Sequence, residues 1–506
     1  MAGIGLWLTK RERLSGDHEA LVQGDRRLSY REINRRVNRL AAWLLKAGLK
    51  HGDRCAYLAY NGIEVVELIF AAAKIGLILV PLNWRLASKE LSFILSDSGT
   101  ETLFFDAAFT GTVGTFAEDK RLSIRRKVVI GGEAEGAERY EEVLSQGSDE
   151  EPRTAEAVTL DSPHIIMYTA GTTGLPKGAV LTQGCSFWNA VNLELDMGFH
   201  PMDRNLLVLP MFHIGGIGLF TLPMIHVGAT VILQRSFDAG ETLRLLRDEK
   251  VTLFFGVPAV FLFLLRHPAF GAEAFKNARL VMSGGAPLPI SLVHQYRDAG
   301  IVLQQGFGMS EASPSIATLP KDLALKKAGS IGRALLHVEA RVVDENLEEV
   351  PRNEVGELVI RGPNVMKEYW NRPEATREAF SGGWFHSGDM ARMDEDGDLY
   401  IVDRKKDMFI SGGENVYPAE VENAIFELSQ VAEVAVIGVR DEKWGEVGRA
   451  VVALKAEGTL KEAEVLDFLK GRLAKYKVPR SIVFVDQLPR NAAGKVLKNV
   501  LREKFP

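Results

Sequence analysis

At 506 residues, with 46% apolar and 25% charged residues, the chain has the composition of a soluble globular protein and is too long for one hydrophobic core. Its 61 basic and 66 acidic residues leave a net charge of −5, which gives no reason to expect nucleic acid as a partner. Two cysteines, Cys55 and Cys185, lack metal-ligand spacing and fit a reduced, cytoplasmic protein, and Lys10, Arg11 and Arg13 precede any long apolar stretch, against a signal peptide.

Ser29 to Leu45 reads as a helix. Ser29 and Glu32 make a capping box, Ile33, Val37, Leu40 and Leu44 share one face, and Gly48 can end it. Arg31, Arg35, Arg36 and Arg39 fall off that stripe and read as a solvated face, with contact to an anionic membrane as the minority alternative. Arg54 to Tyr60 reads as a strand, Ile63 to Ile75 as a helix, Leu77 to Pro81 as a strand and Lys89 to Ser96 as a helix. Glu67 and Lys74 exclude a membrane span from the apolar stretch Val65 to Leu82. The alternation predicts an α/β fold with largely parallel sheets. Phe109 to Glu156, weakly patterned and rich in charge, reads as a surface excursion.

His164 to Tyr168 reads as a short buried strand that runs into a loop ending at Gly178. Gly171, Gly174 and Gly178, with Thr169, Thr172, Thr173 and Lys177, crowd into that loop. Glycines let successive N–H groups point into one concavity, threonines add donors and the lysine adds charge, a combination suited to a polyphosphate. It is not a Walker A loop, because Lys177 stands between Pro176 and Gly178 and not before Ser or Thr.

Further along, His213 followed by Gly215, Gly216 and Gly218 suggests a tight pocket wall with room for a chain. Leu280 to Met282 reads as a strand ending in Ser283, Gly284, Gly285, Ala286 and Pro287; Val302 to Gln305 reads as another, ending in Gly306, Phe307, Gly308, Met309, Ser310 and Glu311. Small residues after one strand and an aromatic after the next can sandwich a flat base, and Glu311 is a hard oxygen donor suited to Mg²⁺. Asp389 sits just after Gly388 in a predicted loop. Asp394, Asp396 and Asp398 make an acidic turn without the glutamate an EF-hand needs. Asp403 to Asp407 is a charged run suited to a domain boundary. Beyond it, Val434 to Val439, Val451 to Lys455 and Ser481 to Val485 read as strands and Glu462 to Leu473 as a helix, a small α+β domain. Lys475, Lys477 and Arg480 form a basic cluster in it.

On these motifs the chain resembles the adenylate-forming superfamily of acyl-CoA synthetases, luciferases and peptide-synthetase adenylation domains over nearly its whole length, and is most similar to the fatty-acyl-CoA synthetases. Ala170 stands where many members have serine, and Phe307, Ser310 and Ser387 replace commoner tyrosine and threonines. The resemblance implies a large multi-sheet domain, residues 1–402, and a small mobile lid, residues 403–506, with its hinge near Lys406. It implies ATP, Mg²⁺ and coenzyme A. Thr169, Gly171, Thr172, Thr173, Gly174 and Lys177 would hold phosphates; Gly285, Ala286, Pro287, Gln305, Gly306, Phe307, Gly308, Met309 and Ser310 would surround adenine. Glu311 would hold the metal, Asp389 the ribose, and Arg404 would reach the nucleotide. Lys495 would be the mobile catalytic lysine, with Thr169, Glu311 and His213 in the catalytic set. The basic cluster of Lys475, Lys477 and Arg480, with Trp444 nearby, suits the coenzyme A nucleotide and a solvated helix end equally, and Gly413 suits the wall of the pantetheine path. The implied partner is a carboxylic acid, with no nucleic acid, at most weak peripheral membrane contact, and a homodimer left open. A medium- or long-chain fatty acid is favoured, within fatty-acid metabolism; the alternatives are an aromatic acid, suited to Phe187 and Trp188, and a stand-alone adenylation enzyme with another acceptor.

Overall fold

The computed structural model describes every residue except 170–175, 406, 412–413, 442–443, 471 and 491–495, and the side chains of 117–118. The helix Tyr30–Lys46 starts as its sequence dictates: Ser29 Oγ accepts the Glu32 amide at 3.3 Å while the Glu32 carboxylate accepts the Ser29 amide at 2.8 Å. Its apolar stripe packs on Ile63–Ile75, a helix buried almost all round and therefore largely apolar, Glu67 and Lys74 being buried charges within it. The strands Arg54–Leu58 and Ile78–Pro81 flank that helix and pair in parallel, the right outcome for a strand–helix–strand unit.

Two large sheets form the body. One has eight strands in the order Glu368–Tyr369, Lys177–Thr182, Pro163–Thr169, Ile78–Pro81, Arg54–Leu58, Thr102–Asp106, Arg126–Ile130 and Glu138–Arg139. The other has nine, with Gln304–Gly308, Leu280–Ser283, Leu253–Gly256 and Arg204–Leu207 parallel at its centre. A four-stranded antiparallel sheet, Glu339–Val343 to Leu399–Arg404, follows. A last sheet of five strands, from Phe409–Ser411 to Ser481–Val485, has its own core of Phe409, Val421, Ile425, Val436, Val452 and Leu469. The architecture is thus a large multi-sheet α/β domain with a smaller α+β domain.

Two expectations change. The stretch from Phe109 to Glu156 is more than a surface excursion: Arg126–Ile130 extends the first sheet in parallel with Thr102–Asp106, and Val128, Val129, Tyr140, Val143 and Leu144 are buried. The hairpin Val431–Asp441 and Gly445–Leu454 is longer than its apolar stretches, because backbone pairing continues to Asp441 opposite Gly445 after the hydrophobic pattern stops. The arginines of the first amphipathic helix keep the solvated face expected of them, with Arg35 and Arg39 exposed, and pair there with acids. Arg31 meets Asp17 at 3.0 Å, Arg39 meets Asp149 at 3.7 Å, Arg35 meets Glu12 at 3.9 Å, and Arg36 binds both Glu67 and Glu141. The acidic turn is held from within: Lys327 Nζ lies 2.8, 2.6 and 2.7 Å from Asp394, Asp396 and Asp398. Among the described residues no helix is long and apolar enough to cross a membrane.

Glu67 is 0% exposed and accepts the Arg36 guanidinium and, at 2.7 Å, the Tyr140 phenol. Burial holds its carboxyl above the ordinary carboxylate value even with Arg36 alongside. A carboxyl raised in the folded state favours folding where it is protonated, and that contribution is lost as pH rises through its folded value. Arg36→Ala should therefore destabilise by about 3–5 kcal/mol at pH 8 and by less at pH 5, as read by urea unfolding. Equal losses at the two pH values would show that Glu67 is not the cause.

Candidate active site

Thr169 and Lys177 are opposite each other across the antiparallel strands Pro163–Thr169 and Lys177–Thr182, so they form the stem of the glycine-rich loop. Gly171, Thr172, Thr173 and Gly174 lie outside the described residues. Thr169 Oγ1 is 3.4 Å from both the Lys177 carbonyl and Glu311 Oε1. Glu311 comes from the other large sheet, in the turn after Gln304–Gly308. The two sheets therefore meet at one carboxylate. Tyr369 donates its phenol to the same oxygen at 3.2 Å, and the Lys177 ammonium stands 5.5 Å over the Tyr369 ring. Burial and the Glu311 charge push the Tyr369 phenol well up, so it stays a donor. Glu311 Oε2 accepts from neither hydroxyl; a carboxylate oxygen beside further hydroxyl oxygens fits Mg²⁺. Sequence reasoning missed Tyr369, which sits in a strand of two residues; the aromatic pair Tyr369–Trp370 just before Pro373 was the available signal.

Leu280–Ser283 and Gln304–Gly308 run parallel, with Ser283 opposite Gln305. Past their carboxyl ends, Gly285, Ala286 and Pro287 form an exposed ledge, and Gly306, Phe307, Gly308 and Met309 are half-buried beside it. This is where open α/β sheets place ligands. Gly285 turns the ledge at a φ of +78°, the region that favours glycine. A Cβ on Gly284 would lie 2.7 Å from the Gly306 carbonyl, so the strand ends close up only around a glycine. Gln305 and Ser310 are nearly buried behind this surface.

Asp389 lies in the strand Phe385–Met393, not in the predicted loop, directly opposite Arg404. Arg404 Nε is 2.7 Å from Asp389 Oδ1, and the carboxylate is 2% exposed. Sequence proposed both residues for the nucleotide, and the register joins them. Glu357 supports them from below, accepting Lys405 at 3.0 Å and meeting His386 at 3.2 Å. Burial would raise its carboxyl, but Lys405 and His386 outweigh burial and hold it below the ordinary value.

His213 is half-buried, and its Nδ1 accepts the Gly215 amide at 3.4 Å. Gly216 and Gly218 do not leave room for a chain: a Cβ on them would lie 2.3 Å from the Pro210 carbonyl and 2.6 Å from the Ser313 carbonyl. They are glycines because backbone crosses there. Trp188 meets His337 edge-on at 5.0 Å, while Phe187 turns toward Trp7 and His226. Val257 Cγ1 would lie 3.6 Å from a Cβ on Gly285, which puts it beside the ledge. In the small domain, Lys477 is clamped by Glu420 at 2.8 Å, and Trp444 is exposed. Lys406, Gly413 and Lys495 lie outside the described residues.

This geometry agrees with the comparisons. The profile of the AMP-binding enzyme family matches residues 8–370, and that of the AMP-binding enzyme C-terminal domain matches residues 420–495. The chain belongs to this family of adenylate-forming enzymes. It is 42% identical over 503 residues to a feruloyl-CoA synthase of Amycolatopsis sp., covering 99% of both chains. It is 38% identical over 510 residues to a long-chain-fatty-acid–CoA ligase of Mycobacterium tuberculosis, covering 100% of this chain and 99% of the other. The o-succinylbenzoate CoA synthetase of Bacillus subtilis, solved with its acyl-adenylate intermediate, matches with a TM-score of 0.87 at 33% identity, covering 98% and 97% of the two chains. More narrowly, the protein is an AMP-forming acid–CoA ligase.

Asp389→Asn should raise the KM for ATP about tenfold, since a hydrogen bond to a charged acceptor contributes roughly 1.5–3 kcal/mol, and leave the KM for the acid unchanged. Kinetics with ATP and its deoxyribose analogues check this. If the variant discriminates between them as well as the parent does, Asp389 does not hold the ribose.

Proposed function

We propose that the protein joins an aromatic carboxylic acid to coenzyme A in two steps. A carboxylate oxygen attacks the α-phosphorus of ATP and pyrophosphate leaves, giving an acyl-adenylate. The coenzyme A thiol then attacks the acyl carbon, and AMP departs with the bridging oxygen. A carboxylate is a poor electrophile at neutral pH, and adenylation supplies the leaving group. Little covalent chemistry falls to the protein, so positioning and charge neutralisation carry the rate.

One observation carries this reading: Thr169, Tyr369 and Glu311 share a single oxygen beside Lys177. In the proposal the loop of residues 170–175 cradles the phosphates together with Thr169 and Lys177. Gly285, Ala286 and Phe307 hold the base, and Asp389 with Arg404 holds the sugar. Glu311 would hold Mg²⁺, which supplies positive charge to the phosphate oxygens. Lys495 brings a second cation to the α-phosphate in the first step. It is withdrawn for the second as residues 403–506 turn near Lys406, bringing Gly413, Trp444 and Lys477 toward coenzyme A.

Two facts favour an aromatic acid over the fatty acid suggested by sequence. Of the three glycines after His213, Gly216 and Gly218 are crossed by Pro210 and Ser313 backbone, and Trp188 stands as a half-buried ring held edge-on by His337, a rigid wall suited to a flat guest. The feruloyl relative also matches at 42%, against 38% for the fatty-acid relative. That second relative spans the whole chain and keeps a fatty acid as the other reading.

Acid-dependent ATP–pyrophosphate exchange over a panel of aryl-propenoic acids, benzoate and fatty acids of stepped length tests the substrate. An aryl-propenoate should exceed every fatty acid roughly tenfold or more in kcat/KM, the scale on which pockets discriminate shape. A fatty acid at the top of the panel would overturn the aromatic reading. Separately, Lys495→Ala should slow adenylate formation roughly 10²–10³-fold and spare thioester formation from supplied acyl-adenylate. Equal slowing of both half-reactions would contradict a lysine that serves only the first.

A further inference from the structure

Tyr369 is held from behind. Its short strand lies antiparallel on Lys177–Thr182, with Tyr369 opposite Ala179 and the Trp370 amide donating to the Gly178 carbonyl at 2.7 Å. Both hydroxyls on Glu311 then trace back to one residue, Asp97. Tyr168, next to Thr169, donates its phenol to Asp97 Oδ2 at 2.7 Å. Trp370, next to Tyr369, donates its indole N–H to the Asp97 carbonyl at 3.0 Å, and Arg372 pairs with Asp97 Oδ1 at 2.7 Å. Asp97 stands in the last turn of the helix Ser88–Ser98, where the helix dipole disfavours a carboxylate. Its presence there is explained by these partners and not by the helix.

We propose that Tyr369, braced by Asp97, is a positioning residue for Glu311: with Thr169 it fixes one carboxylate oxygen so that the other is offered to the divalent cation of the bound nucleotide. Its ring has a second effect. Among the described residues Lys177 makes no ion pair with Glu311 and stands over the Tyr369 ring instead, so cation and carboxylate do not neutralise each other. The proposal rests on the reading that Glu311 meets the metal–nucleotide complex.

The test needs no turnover. Mn²⁺ serves as the probe, titrated by electron paramagnetic resonance into the full-length protein holding the non-reacting analogue α,β-methylene-ATP. Tyr369→Phe keeps the ring and should weaken Mn²⁺ about tenfold, the effect of one hydrogen bond to a charged group. In a Glu311→Gln background the same substitution should change nothing further, because the two residues act as one unit. Asp97→Asn, which leaves the phenol in place, should weaken Mn²⁺ in the same direction and likewise only when Glu311 is present. A Tyr369→Phe effect of equal size in both backgrounds, or no effect in the parent, overturns the proposal. Unchanged Mn²⁺ affinity in Asp97→Asn overturns the bracing. If Glu311→Gln alone leaves Mn²⁺ affinity unchanged, the reading beneath the proposal fails with it.

Discussion

The Glu311 carboxylate is the point on which the site depends. It is carried by one sheet, and the hydroxyl of Thr169 that reaches it is carried by the other. The loop stem at Thr169 and Lys177 and the ledge after Leu280–Ser283 therefore keep a fixed relation only while the two sheets hold their register. Gly284 against Gly306 brings the strand ends together, and the Asp97 contacts hold the loop stem from the opposite side. Misplacement of a reacting group by about 1 Å can cost on the order of 10²-fold in rate, so much of this framework serves alignment.

Charge is handled in two ways in this molecule. Away from the site, charged groups saturate one another. Lys74, with its side chain 1% exposed, is surrounded by Thr9, Asn34, Asn38 and Glu151, and Lys327 fills the space between three aspartates. Such groups are structural, because a buried charge is tolerated only when paired and hydrogen-bonded. At the site, Lys177 lies over an aromatic ring and Glu311 receives hydroxyls. Neither is satisfied by the other.

Local signals were legible in the sequence and distant ones were not. The capping box of Ser29 and Glu32, the apolar run of Ile63–Ile75 and the strand before the glycine-rich loop follow from signals within a few residues. The ledge and Phe307 were readable because small and aromatic residues end adjacent strands. Tyr369 was not, since two residues have no period, and neither was Asp97, whose partners are 71 and 275 positions away. The arginines at 31–39 are solvated as read, but their acidic partners were not legible because those acids come from other segments. Glycine after His213 carries the same letter whether it opens a pocket or lets backbone cross, and only the Pro210 and Ser313 carbonyls decide between them.

The account stands on direct transfer of AMP to the acid's own oxygen. The plainest measurement uses a carboxylic acid substrate labelled with ¹⁸O in its carboxylate, with ATP, Mg²⁺ and coenzyme A, and follows the label by mass spectrometry. Attack on the α-phosphorus followed by thiol attack on the acyl carbon predicts one ¹⁸O in each AMP and none in pyrophosphate. Label in inorganic phosphate, with ADP as the nucleotide product, would contradict the account.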